Sequence, residues 1–110
     1  MTLSQLRSVL ESIDGFENKV AYRSFPVGQA PKLPFICYLD TGTSNFVADN
    51  VVYAVIQEVD VELYSQYKDV ASEALIEAKF AENSIVWEKY EEFITDENCY
   101  EVIYTFSINQ

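Results

Sequence analysis

Two stretches of strict alternation limit what this chain can become. Val59, Val61 and Leu63 are apolar, and Glu58, Asp60 and Glu62 between them are acidic. Near the C-terminus Tyr100, Val102, Tyr104, Phe106 and Ile108 alternate with Glu101, Ile103, Thr105, Ser107 and Asn109. A period of two sends successive side chains to opposite faces of a strand, so each stretch reads as a strand with one face in need of cover. A sheet built on them must find apolar surface elsewhere in the chain.

Two helical segments supply it. Over Thr2 to Ile13, Leu3, Leu6, Leu10 and Ile13 recur at helical spacing, Thr2 and Gln5 match a capping box, and Gly15 provides a left-handed stop. Asp69 to Glu82 reads as the second helix, with Asp69 as N-cap. Its expected buried stripe is Val70, Ala71, Ala74, Leu75 and Ala78, whose small alanines imply close approach to a sheet.

Further strands are expected at Lys19 to Phe25, Phe35 to Leu39, Val51 to Ser65, Ile85 to Phe93 and Asn98 to Ile108. Within Val51 to Ser65 the opening run VVYAVI does not alternate, which points to a bulge near Gln57 or a segment covered on both sides. All three prolines, Pro26, Pro31 and Pro34, fall between the first two strands. They fix φ and remove amide donors, so that linker is an extended excursion and not a central strand. The expected order is α-β-β-β-α-β-β: an α+β fold, a mainly antiparallel sheet of four to five strands with two helices packed on one face. The 110 residues form one domain, 1–110, with no repeat.

Charge is unevenly spread. The formal net charge is −11, yet residues 1–57 carry five acids against four bases and residues 58–110 carry thirteen against three. Such a chain does not grip nucleic acid, whose binding depends on Lys and Arg at phosphates. It fits a surface that DNA passes without sticking, or one that imitates DNA.

Catalytic chemistry is thinly provided. There is no histidine, which removes Ser-His-Asp and Cys-His nucleophiles and histidine metal sites, and three scattered glycines build no phosphate loop. Adjacent carboxylates such as Glu91 and Glu92 would face opposite sides of a strand. Asp60 and Glu62 share a face but are too few for a calcium site. We therefore expect no enzyme, no cofactor and no metal. Cys37 and Cys99 lie in apolar runs and are expected as reduced buried thiols, with a pair still open if their strands are adjacent. The N-terminal segment has polar residues too often for a signal peptide, and no apolar run is long enough to span a bilayer.

What remains is surface for partners. Phe46 stands in the polar stretch TGTSNFVADN, followed by Val47, and reads either as an edge residue folded back or as an anchor for a neighbouring subunit. Tyr64 and Tyr67, at the turn into the second helix, pose the same choice. Phe25, Pro26 and Pro31 on the stiff linker complete the candidate interface, since a preorganised loop loses less entropy on docking.

The succession AYRSFPVGQAPKLPFICYLDTGTSNFVADNVVY, then VDVELYSQYKD, then YEVIYTFSI, resembles the tail terminator or tail completion proteins of long-tailed bacteriophages and prophages. The resemblance spans nearly the whole chain. It implies a small α+β subunit that assembles as a ring, typically a hexamer, on the head-proximal end of the tail tube. The implied partners are further copies of itself, the major tail tube protein and the head completion protein, with DNA passing through the channel unbound and no membrane involved. The implied location is the virion tail, after assembly in the host cytoplasm. The alternatives are an acidic DNA mimic that inhibits a host nuclease, or another head–tail joining protein.

Overall fold

The computed structural model describes residues 1–109. In chain order it comprises α1 (Leu3–Glu11), β1 (Val20–Tyr22), β2 (Phe35–Thr43), β3 (Phe46–Ala48), β4 (Val51–Ala54), β5 (Ile56–Ser65), α2 (Val70–Glu82), β6 (Glu88–Ile94) and β7 (Cys99–Asn109). Five strands form one sheet in the order β1-β2-β5-β7-β6, and β3 and β4 form a separate two-stranded ribbon. Only β1 runs parallel to its neighbour. The fold is thus α+β with a mainly antiparallel, mixed sheet. It differs from the expected order because Val51 to Ser65 is two strands and the stretch around Phe46 is a strand as well.

The two alternating stretches lie side by side. β5 and β7 pair without a break from Ile56↔Asn109 to Ser65↔Tyr100, which sets Val59 beside Phe106, Val61 beside Tyr104 and Leu63 beside Val102. β2 adds Ile36 and Tyr38 to the same face. Leu6, Leu10 and Ile13 from the α1 region and Ile76 and Phe80 from α2 pack on that face in one cluster. Phe80 meets Tyr104 and Phe106 edge-on, with ring centroids 5.3 and 5.1 Å apart, which suits the ring quadrupoles.

Local signals at the first helix behave largely as read. Thr2 and Gln5 form the reciprocal capping box. The helix nevertheless stops at Ser12, whose hydroxyl donates to the Val9 carbonyl at 2.6 Å, so the left-handed Gly15 belongs to the next turn. No bulge falls at Gln57; one lies on β2, and a second interrupts the β3–β4 ribbon between Phe46 and Val47, opposite Tyr53. Register slips between Asp40 and Gly42, where the Gly42 amide donates to the Asp40 carboxylate and Gln57 donates to that carboxylate's other oxygen. Cys37 and Cys99 are both free and buried; β5 lies between their strands, so no pair forms.

Helix α2 departs most from expectation. Its buried positions are Ser72, Glu73, Ile76 and Phe80, and the stripe Val70, Ala71, Ala74, Leu75, Ala78 faces solvent. Periodicity identified the residues that share a side, but the side turned inward is the one that carries Ile76 and Phe80, and the Glu73 that goes in with them is received by an ion network. Glu73, only 3% exposed, is held by Lys68 at 2.8 Å and Lys89 at 3.0 Å, and Lys68 also reaches Glu91. Glu77 takes hydrogen bonds from Lys89 and from the Tyr104 hydroxyl. Burial works to raise the Glu73 carboxyl, but hydrogen bonds from Lys68 and Lys89 outweigh it and hold the group below the usual carboxylate range.

Phe80 is the largest apolar contribution of α2 to the core. Phe80→Ala removes a fully buried ring and leaves a cavity, at a cost of about 3–5 kcal/mol. The expected outcome is a lower urea midpoint at an unchanged slope, read by circular dichroism.

Candidate interaction surface

Beyond the sheet, the chain between β2 and β5 continues as the β3–β4 ribbon. Val47 pairs with Val52 and Ala48 with Val51, leaving a two-residue turn at Asp49 and Asn50. Both turn residues have positive φ, 52° and 61°, the mirror-image turn whose twist matches that of a hairpin. Asp and Asn tolerate the left-handed region better than other side-chain-bearing residues, so ADN builds the turn without glycine. The joint to the sheet is braced: the Ser44 amide donates to the Ile56 carbonyl at 2.9 Å, and the Asn45 side chain accepts from the Ile56 amide. TGTSNFVADN is therefore the end of β2 plus a hairpin, not a polar loop.

This arm is apolar and uncovered. Phe46 and Tyr53 are 60% and 63% exposed, and Val47, Val51, Val52 and Val55 are each 42–55% exposed. Phe46 rests on Tyr53 with centroids 6.5 Å apart, so it is supported by its own hairpin and not by the core. The VVYAVI run lost its alternation because its first four residues belong to the arm, which is open on both faces.

The other candidates lie elsewhere. Phe25 packs edge-on against Phe35 at 5.1 Å and Phe35 against Tyr64 at 5.3 Å, so Phe25 and Tyr64 meet in one half-buried cluster. The cluster borders a cavity of about 270 Å³ that also touches Arg23, Ala30 and Cys37. Pro26 is exposed and Pro31 half-buried on the same linker. Because Phe35 pairs with Tyr64 at one end of the β2–β5 ladder and Thr43 with Gln57 at the other, this cluster and the arm sit at opposite ends of the sheet. Tyr67, 66% exposed, stands apart at the entry to α2. Sequence reasoning missed Val51, Val52, Tyr53 and Val55; their signal was the broken alternation.

The helix-free face of the sheet is acidic. Register places Asp60, Glu62, Glu88, Glu92 and Glu101 on it, together with Cys37, Tyr64, Tyr90 and Ile103. Desolvation, with the charge of Glu101 adding to it, pushes the Glu62 carboxyl up to about 7, while a hydrogen bond from the Tyr64 hydroxyl at 3.1 Å opposes the rise. Burial first, then the negative charges of Glu62 and Glu101, raises the Cys37 thiol to about 12, so it is a poor nucleophile. Among the described residues no group of carboxylates and cysteines is arranged to hold a metal ion. No described helix is long and apolar enough to cross a membrane.

No family model matches the chain, and no curated protein is detectably similar to it in sequence.

The Glu62 carboxyl makes stability depend on pH. Folding raises the Glu62 pKa from 4.5 to about 7, so the folded state prefers the protonated form. That contribution is complete below the ordinary carboxylate value and is lost as pH rises through about 7. Glu62→Gln keeps a neutral side chain at all pH values. Its urea midpoint is expected to stay level across this window while that of the wild type falls, with the variant the more stable above it.

Proposed function

We propose that this chain is a structural subunit of a long-tailed phage or prophage virion. In this reading it closes the head-proximal end of the tail tube as a ring, a hexamer in the family it resembles. The ring stops tube growth and gives the head completion protein a place to dock. The observation that carries the reading is the apolar β3–β4 arm, which exposes two aromatic rings and four valines that its own subunit leaves uncovered. Monomeric proteins rarely show such a surface, and a small subunit built to assemble does. Action here is by contact and not by catalysis.

Electrostatics fit the same role. An acidic sheet face turned toward a channel repels phosphates, so DNA slides through without adhering. The same face also favours a second reading, an inhibitor that sets carboxylates where a nuclease expects phosphates. Glu101 weakens that alternative, being only 8% exposed and sharing its site with a Glu62 that is readily protonated.

Disruption of the gene in its phage or prophage, with tails viewed by negative-stain microscopy, separates the two. Tail capping predicts overlong tails that are not joined to heads, restored by supplying the protein. Tails of normal length joined to heads would rule it out. Salt-sensitive competition with DNA for a basic host nuclease would support the mimic instead.

A further inference from the structure

Helix α2 buries Ile76 and Phe80 but also carries a row of apolar residues on its outer side. Val70, Ala71, Ala74, Leu75 and Ala78 share one side of the helix and all are exposed, Val70 by 64% and Leu75 by 43%. Tyr67 leads into this side. A helix lying on a globular core normally carries polar residues on that side. The charged side chains do not interrupt the surface: Glu73 and Glu77 turn toward Lys68 and Lys89, and Lys79 pairs with Glu82 at the last turn. Three alanines among the five residues leave it shallow, so a flat object can lie close against it.

The molecule carries such an object. We propose that the outer side of α2 receives the β3–β4 arm of a second copy of this chain, so that subunits join head to tail. The proposal rests on the ring reading above and names the contact that builds the ring. Three observations select the occupant.

The first is charge. Two copies, each at −11, repel over most approaches. From Phe46 to Val55 the arm holds one charged residue, Asp49, and the five outer residues of α2 hold none. These are surfaces on which two acidic subunits meet without opposing carboxylates, unlike the open sheet face. The second is placement. The arm leaves the sheet at the Ile56 end of β5, while Tyr67 and Val70 follow its Ser65 end, about 30 Å away for ten residues of strand. Donor and receiver differ in identity and position, so the contact is heterologous, the kind that gives a ring where the rotation per subunit closes and a filament where it does not. The third is area. Phe46 and Tyr53 at their observed exposure offer on the order of 100–150 Å² each, and four valines add to this. The sum is on the order of 500–600 Å², below the roughly 800 Å² per partner of a standard interface, but each ring subunit makes the contact twice, once as donor and once as receiver.

Two variants test the contact. Phe46→Ser/Tyr53→Ser spoils the arm and leaves α2 intact; Ala74→Glu spoils the helix face and leaves the arm intact. Analytical ultracentrifugation of each alone is expected to show self-association weakened by about 30-fold or more, the scale of a lost aromatic anchor. Mixed, they are expected to form a one-to-one dimer and nothing larger, because one good arm meets one good helix. A wild-type chain that stays monomeric at its highest soluble concentration overturns the contact, as does an Ala74→Glu chain that still assembles like wild type, or a mixture without dimer.

Should either variant lose its cooperative thermal melt, chains carrying Val52→Cys and Ala74→Cys decide the matter when mixed and oxidised. A disulfide joining the two different chains supports the contact, and its absence overturns it. Tails of normal length on gene disruption, alongside a mixture that forms the dimer, remove the tail-capping role alone. A mixture of the two variants without dimer, alongside wild-type chains that form rings, removes only the contact.

Discussion

The unbroken pairing of β5 with β7 fixes nearly everything else in this molecule. Ten consecutive residue pairs hold the register, and a slip of one would send Val59, Val61 and Leu63 to the acidic face and Asp60 and Glu62 into the core. The ladder thereby decides where the helices can pack and where the carboxylates gather. It also aims the arm, because β2 and β5 carry β3 and β4 beyond the end of the sheet.

Local rules made the centre legible in the sequence. The alternation of β5 and β7 and the capping box at Thr2 each depend on neighbours within a few residues, and the structure keeps all three. The arm was harder because a strand pattern carries no mark of where one strand ends and the next begins in the same direction. Val51 to Ser65 looked continuous, and only Val55, between two ladders, separates them. Phe46 was noticed as an aromatic in polar company; that it stands on a ribbon with Tyr53 follows from pairing, which composition does not encode.

Helix α2 gives the sharper lesson. A period of 3.6 tells which residues share a side and is silent on which side faces the core. Here the side with Ile76 and Phe80 lies inward and takes Glu73 with it, met by Lys68 and Lys89 from outside the helix, whereas apolar Val70 and Leu75 lie outward. In the proposed assembly, hydrophobicity is divided between two interiors, that of the fold and that of the contact between copies. A single sequence shows their sum.

The proton on Glu62 has a bearing on the proposed assembly. A group that titrates near neutrality does not present a fixed charge; it adjusts as its surroundings become more negative. If a second acidic surface draws near the open sheet face, Glu62 can take up a proton and soften the repulsion. The acidic face then behaves as a charge regulator, more negative when it faces open solvent than when it faces another polyanion.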